Sequence, residues 1–432
     1  MKKKRVLWIS LGLLAAILLT ILAFVLYYLF ILKNTLRDIT TTESPEKILG
    51  VYVRQEDEAV SVADTAGYTY GVSWNEPDRN ETEMLLNRLE ELWGSPPDTV
   101  AFPDIFALTD GLRDGTIGAL ILNEAYKDTL AETEGYEWTK DGLRRLEVFA
   151  FEQEEEAHEK PEVPDTIPDT VILYISGIDT YGGLSARSRS DVNILVAANT
   201  RTKDILMVAT PRDFYVDFAA SKGQKDKLTH AGIYGVGASM DALERLYTIQ
   251  IPYYLRINFS GFIDVIDALG GVDVYSDYDF SVKNIKDYHK GYNHLTGLEA
   301  LAFARERYSF PQGDYQRAKN QMEVIKAVIN ACTSPAVLKN FRSVMNAIGG
   351  SFETNMPEGQ ILDLVKMQMA DEKPWNITTY TTNGTSAYKP TYSMPGRNLY
   401  VILPNAASVE EAKALLSGIL TAEQPSALSG SS

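Results

Sequence analysis

Positive charge is scarce in this chain: 41 Lys and Arg stand against 58 Asp and Glu, a formal net charge of −17 at pH 7. Nucleic-acid binding needs a basic face, and this balance does not indicate one. Only one cysteine is present, Cys332, so no intrachain disulfide can form. Its place in the apolar row of an expected helix marks it as a buried core thiol. No P-loop and no dinucleotide fingerprint occurs, so no nucleotide site is indicated. No Ser–His or Cys–His nucleophile arrangement can be assigned either. Internal repeats are absent. With 45% hydrophobic residues and 18 prolines the composition is that of core-forming material, and the length leaves room for two domains and extras.

One long uncharged run does exist. The residues MKKKR at 1–5 precede an uncharged stretch from Val6 to Leu32. As a helix it would span about 40 Å, more than the roughly 30 Å hydrocarbon core. It ends in bulky YYLFILK, not in a small-residue cleavage site. Residues 6–32 are therefore expected to be an uncleaved signal anchor in the cytoplasmic membrane, with 1–5 as a cytoplasmic stub and the chain after Lys33 outside. Charge divides the remainder. Between Glu46 and Glu147, 22 acidic residues face 9 basic ones, while the second half of the chain is nearly neutral. The acidic, proline-punctuated FEQEEEAHEKPEVPDTIPD reads as a solvated linker over 152–169, not a metal site. AEQPSALSGSS reads as a disordered tail at 422–432.

Before the linker, at 46–151, strand-like and helix-like segments alternate. AGYTYGVSW, DTVAF, IGALILN and LRRLEVFAF read as strands. ETEMLLNRLEELWG reads as a helix with Leu85, Leu89 and Leu92 on one face, and DIFALTDGLRDGT as another. This pattern predicts a small α/β lobe. Its order is similar to one lobe of a periplasmic solute-binding protein and to the accessory domain of some streptococcal capsule proteins. A single lobe lacks the facing half that closes over a ligand, so a structural or partner-docking role is expected over small-molecule binding, and the acidic linker is expected to make the lobe separable from chemistry elsewhere. A second α/β unit is expected over 170–421. TVILYISGID, VNILVAAN and DILMVATPRD are its first strands, the last two joined by the polar turn NTRTK. Helices are expected at GASMDALERLY, FSGFIDVIDAL, NQMEVIKAVINAC, EGQILDLVKMQM and SVEEAKALLSGIL, and NLYVILP is expected to close the sheet. The fold class is α/β, with a mixed, largely antiparallel central sheet flanked by helices, preceded by the small lobe and the membrane helix.

If the first three strands form an antiparallel meander, their connections gather distant residues at one rim. Strand one ends at Gly177 and leads to Asp179. The loop DTYGGLSARSRSD delivers Arg189 and Asp191 to strand two, and strand three ends in TPRD, with Arg212. Ligand crevices in α/β folds lie at such strand ends. The stretch LTGLEALAFARERY contributes more positive charge. Thr296 and Glu299 make a capping-box pattern that starts a short helix. With an extended tail after it, Arg305 and Arg307 would share one face and Glu306 the other. The next helix is expected to start near Asp314 as N-cap. Arg317 and Gln321 lie one turn apart on it, on a line continued by Val324 and Val328. A lone arginine is usually a surface ion pair worth about 0–1 kcal/mol. Five of them from three segments, beside two aspartates, point to a phosphate-rich ligand. Guanidinium forks grip phosphate oxygens bidentately, and the pair Asp179 and Asp191 suits Mg²⁺ shared with those oxygens. The expected anion is a pyrophosphate.

The segments YISGIDTYG…RSRSDVNILVAANTRTKDILMVATPRDFYV, FIDVIDALGGVDV, LTGLEALAFARERY and GDYQRAKNQMEVI run through roughly 171–332. In order and spacing they resemble the LytR–CpsA–Psr family. The resemblance implies an extracytoplasmic, membrane-anchored phosphotransferase of mostly Gram-positive bacteria. Such enzymes move an anionic glycopolymer (wall teichoic acid, capsule or a related glycan) from undecaprenyl pyrophosphate to a peptidoglycan sugar hydroxyl. It implies Mg²⁺ (or Mn²⁺) on Asp179 and Asp191. It implies catalytic roles for those two and for Arg189, Arg212, Arg305 and Arg307, with the arginines, Arg317 and Gln321 binding pyrophosphate. KLTHAGIYG departs from the family pattern, with His230 where asparagine is usual, and His230 is read as structural. Asp213 and Asp314 are read as orienting arginines or capping helices. Two other classes stay open on the residues. One is a non-catalytic polyprenyl-pyrophosphate-binding assembly or regulatory factor, its acidic lobe docking a protein partner. The other is a lipid pyrophosphatase with water as acceptor.

Overall fold

The computed structural model describes residues 46–73, 78–153, 166–178, 187–334, 350–371 and 373–422. The expected anchor at 6–32 lies outside them, as do most of the linker and the tail. Among the described residues no helix is long and apolar enough to cross a membrane.

The N-terminal unit is a five-stranded mixed sheet of β1 (Glu46–Arg54), β2 (Thr69–Ser73), β3 (Asp98–Phe102), β4 (Ala119–Asn123) and β5 (Leu143–Glu152), in the order β3-β2-β4-β1-β5. Four of these match sequence expectations, but β1 does not announce itself. It pairs antiparallel with both β4 and β5 and is buried along most of its length. A strand covered on both faces loses the apolar–polar alternation by which strands are recognised. The Arg79–Trp93 helix buries Leu85 and Leu89 and ends on the left-handed Gly94, where glycine carries no Cβ penalty. Leu92, expected on the same face, is instead exposed. It is in phase with the other two but falls in the last turn. The Ile105–Arg113 helix starts on Asp104, whose Oδ1 accepts from the backbone N–H groups of Phe106 and Ala107 at 2.9 and 2.8 Å.

The second unit is built on a six-stranded sheet. Its order is Phe352–Thr354, Tyr253–Ile257, β6 (Thr170–Ile178), β7 (Ser190–Asn199), β8 (Asp204–Ala209), Asn376–Thr381. Three pairings are antiparallel and two parallel. Alternation along β7 sorts the core. Leu195 and Ala197 face one side with Leu206 and Val208, and Ile194 and Val196 face the other with Ile205 and Met207. Met322, Ala318 and Ile325 of the Asp314–Cys332 helix cover that second side. Two sequence expectations need correction. NLYVILP forms the strand Asn398–Pro404, but it pairs with Gly384–Pro390 in a separate two-stranded sheet. The main sheet is closed by Asn376–Thr381, parallel to β8. Cys332 is exposed, not buried, because it is the last residue of its helix.

The two units are not independent. One hydrophobic core runs through Tyr52, Phe106, Tyr126 and Leu130 of the first and Tyr174, Leu195, Val208 and Phe214 of the second. The guanidinium of Arg397 lies 5.3 Å from the ring of Phe106 and 4.8 Å from that of Tyr136. Beside it, any side chain at Gly396 would collide with the Asp104 carboxylate. The backbone N–H of Arg187 donates to the carbonyl of Glu46 at 2.9 Å.

Candidate active site

The meander exists as the sequence predicts. Ile178 stands opposite Ser190 across β6 and β7, and Ile194 opposite Ala209 across β7 and β8. This register puts the end of β6, the start of β7 and the end of β8 at one rim. Arg189 immediately precedes β7, Asp191 is its second residue, and Arg212 follows β8 by a short turn. Asp191 accepts from Arg212 Nη1 at 3.0 Å through Oδ2 and from Thr229 Oγ1 at 3.0 Å through Oδ1. Asp213 pairs with Lys227 Nζ at 3.0 Å and lies 3.8 Å from Arg212 Nε. Asp179 falls outside the described residues, so of the expected carboxylate pair only Asp191 is described.

A contribution from the N-terminal unit was not legible in the sequence. Glu132, at the end of the short Lys127–Ala131 helix, accepts through one oxygen, Oε2, from Arg189 Nη1 at 3.1 Å and Arg212 Nη2 at 3.2 Å. Asp128 lies 3.7 Å from Arg189 Nη2, and Thr129 Oγ1 accepts from Arg189 Nη1 at 3.4 Å. Fifty-seven residues separate Glu132 from Arg189, and nothing local in either stretch marks the partnership. The lobe therefore reaches the site that it was expected to stand apart from.

The arginines of RER divide. The helix begun by the Thr296 and Glu299 capping box continues through Arg305, so Glu306, not Arg305, begins the extended backbone. Arg305 and Arg307 therefore do not sit as alternate residues of one strand face. The guanidinium of Arg305 lies 4.3 Å from the Phe259 ring. Arg307 donates to Tyr308 OH at 2.7 Å and lies 3.6 Å from Asp314, which Arg317 also approaches at 3.4 Å. Asp314 is the first helical residue and not the N-cap, which is Gly313. Its role is to bridge two arginines. Gln321 is half-buried one turn beyond Arg317, and the line continues, as expected, into Val324 and Val328 of a second core cluster.

The electrostatics set this cluster apart from surface ion pairs. Arg189 and Arg212 have side chains only 5% and 9% exposed. Burial favours the neutral carboxyl of Asp191, yet Arg189, Arg212 and Arg317 outweigh it and hold the acid well below the usual carboxylate range. Asp213 is lowered in the same way by Lys227 and Arg212 against its burial. Arg317 goes the other way: burial, with Arg212 and Arg307 nearby, pulls it below its ordinary value despite Asp314. An arginine does not give up its proton under such pressure. The shift marks a cation short of negative charge. Among the described residues two buried donors, Arg189 Nη2 and Arg212 Nε, have no hydrogen-bond partner, and such orphans are rare in folded proteins. Together these features describe a place for an anion with several oxygens.

His230 is structural, as expected. It is buried, and its Nδ1 lies 2.7 Å from Asp226 and 2.9 Å from Ser393 Oγ. Serine and aspartate meet at the same ring nitrogen, so the three cannot pass a proton as a nucleophile–base–acid relay does. A separate cleft of about 270 Å³ is lined by Tyr275, Asp277, Tyr315, Lys319, Glu323 and Tyr380, among others. Helical phase puts Tyr315 and Lys319 roughly opposite Arg317, so this cleft is not part of the arginine site.

The chain is thus a mixed α/β protein that gathers buried arginines round a carboxylate at the strand ends of its main sheet. The LytR_cpsA_psr family profile matches residues 147–414, and the chain belongs to that family. Over 206 residues it is 36% identical to the polyisoprenyl-teichoic acid–peptidoglycan teichoic acid transferase TagU of Bacillus cereus, a match that covers 48% of this chain and 66% of that protein, just under two thirds. The crystal structure of TagV from B. subtilis superimposes with a TM-score of 0.50 at 28% identity, covering 58% of this chain and 97% of that one. The fold is shared as well with protein gbs0355 of Streptococcus agalactiae, at a TM-score of 0.51 and 23% identity over 63% of this chain and 93% of that one.

Proposed function

We propose that the chain is an extracytoplasmic phosphotransferase that moves an anionic glycopolymer from a polyprenyl pyrophosphate to a sugar hydroxyl of peptidoglycan. The observation that carries this reading is the pair Arg189 and Arg212, buried side by side at the strand ends, each with a donor that lacks a hydrogen-bond partner among the described residues. Guanidinium forks so placed suit the oxygens of a pyrophosphate. Arg317 and Arg307 extend the positive field along the substrate, and Gln321 can donate to it. Arg305, whose guanidinium lies over the Phe259 ring, is assigned to the same site by its place beside Arg307 in RER. The teichoic acid transferase named among the relatives points to the same substrate class.

In the reaction the acceptor hydroxyl attacks the phosphorus on the polymer side. The bond from that phosphorus to the bridging oxygen breaks, polyprenyl phosphate departs with the bond's electron pair, and one proton is released to solvent. Arg189 and Arg212 neutralise charge that builds on the transferring phosphoryl group and on the leaving phosphate, and in a water-poor site fixed charges do this without reorganising. Asp191 is not the base, because its arginine neighbours make it too weak a proton acceptor. Its ionised carboxylate instead fits a hard cation, which takes one or two carboxylates together with phosphate oxygens and water. Among the described residues no group of three acidic, histidine or cysteine ligands occurs, so such an ion would rely on Asp191, Asp179 and the substrate. Mg²⁺ held there would supply further charge neutralisation. The run at 6–32 would tether the enzyme beside its lipid substrate, outside the cytoplasmic membrane.

The test is a transfer assay with purified protein, a labelled glycan on polyprenyl pyrophosphate and peptidoglycan oligomers. Labelled peptidoglycan and an equal amount of polyprenyl phosphate are expected. Release of free phosphorylated glycan, with no label on peptidoglycan, would replace transfer with hydrolysis.

A further inference from the structure

We propose that Glu132 occupies the seat of a phosphate oxygen between Arg189 and Arg212, so that the N-terminal unit guards the anion site and an incoming pyrophosphate must displace it. The inference rests on the reading of that site as a pyrophosphate site. Four observations lead to it. A single oxygen, Glu132 Oε2, takes a hydrogen from each guanidinium, at 3.1 and 3.2 Å, as one bridging phosphate oxygen would. The carboxylate does not saturate the forks, since among the described residues Arg189 Nη2 and Arg212 Nε have no hydrogen-bond partner, with Asp128 and Asp213 no nearer than 3.7 and 3.8 Å, and a phosphate brings oxygens enough to reach them. The charge also fits. Among the described residues, Arg189, Arg212, Arg307, Arg317 and Lys227 of the second unit meet Asp191, Asp213 and Asp314 from that unit, and Glu132 with Asp128 adds negative charge from the first. Finally, Glu132 can leave. Its side chain is 41% exposed, whereas the arginines that it joins are buried, and it sits at the end of a five-residue helix.

The consequence is competition inside one molecule. Every anion that enters meets a site already filled by an internal one, and its apparent affinity falls by the fraction of time the seat is free. A seat held nine-tenths of the time weakens binding about tenfold. This would bias the site against small anions, which offer few contacts, and toward a ligand large enough to pull the lobe's carboxylate away.

The experiment is calorimetric titration of inorganic pyrophosphate into the wild-type protein, Glu132→Gln, Arg212→Lys and a charge control, Glu90→Gln, an exposed position on the Arg79–Trp93 helix. Glutamine keeps the shape and one oxygen but removes the charge. Binding to Glu132→Gln is expected to tighten about tenfold, with the control unchanged. Asp128→Asn, a second variant on the same surface, should tighten binding by a smaller factor. Unchanged or weaker binding by Glu132→Gln would overturn the proposal, because a residue that merely orients the arginines should weaken binding when it is neutralised. Equal tightening by Glu90→Gln would overturn it too, leaving only a general charge effect. The underlying site reading fails separately, if the wild-type protein binds pyrophosphate and Arg212→Lys binds it just as well. If no variant binds, both fall together.

Discussion

The two arginine pairs of this protein are alike in sequence and opposite in physics. Arg189 and Arg212 flank sheet strands, are almost wholly buried and are held by Asp191, Asp213 and Glu132. Arg305 closes a helix at the surface against Phe259, and Arg307 lies in the turn beyond, partly exposed and bonded to Tyr308. A buried guanidinium is pre-organised, but it is tolerable only with anions around it, since taking a charge out of water costs several kcal/mol. A surface guanidinium carries no such debt and can follow the ligand. The inner pair should therefore matter to both fold and chemistry, the outer pair to chemistry alone.

The strongest way to break this contrast is Arg212→Ala. It leaves Asp191 and Asp213 buried without their shared cation, and breaking a buried pair costs about 3–5 kcal/mol. Urea unfolding should show a loss of that size, with transfer activity abolished. A variant as stable as wild type would mean that the inner arginines are no more structural than the outer ones.

Next comes Asp191→Asn, read through pH. The folded-state pKa of Asp191 lies below the value near 4 of a free aspartate. Its ion pairs therefore stabilise the fold fully above about pH 4 and are lost as pH falls further, through the depressed pKa. Wild type should be the more stable protein at neutral pH, and the gap to Asp191→Asn should close only below about pH 4. A gap of constant size from neutral pH down to about pH 2 would show that the carboxylate's charge is not what the arginines answer to.

For the outer pair, Arg307→Lys keeps the charge but loses the fork. One lost charge-assisted hydrogen bond is worth about 1.5–3 kcal/mol, so transfer should slow at least about tenfold with the melting temperature unchanged. Arg305→Lys should cost less, a few-fold at most, because its cation can still lie on Phe259. The order reversed, with Arg305 the more sensitive, would move the ligand toward Phe259. Glu306→Gln should stay within about twofold, since among the described residues its carboxylate accepts from the backbone N–H of Ser309 and from no arginine of the cluster.

The smallest effect expected is on the seam. In Gly396→Ala the new methyl displaces the Asp104 carboxylate, which caps the Ile105–Arg113 helix. Losing that cap costs about 1 kcal/mol, visible as a small drop in melting temperature. If the two units were separable, the drop would be confined to an independent first transition. With a shared core, the whole protein should melt earlier in one step.

What the sequence determined by itself is whatever rests on short-range periodicity. The meander, the helix carrying Arg317 and Gln321, and the rim position of Arg189, Asp191 and Arg212 follow from strand patterns and connection lengths. Even the fate of Arg305 was written locally: a capping box followed by LEALAFAR favours a helix that runs through the arginine, whose charge suits a helix C-terminus. Tertiary structure alone decided three things. It hid β1 by burying both its faces, and it sent NLYVILP to a hairpin while NITTYT took the sheet edge. It also laid Glu132 across two arginines more than fifty residues distant. The physical reason is common to all three: strand partners and buried ion pairs are chosen by which surfaces meet once the core has formed, and a carboxylate carries no mark in its own neighbourhood of the guanidinium it will answer.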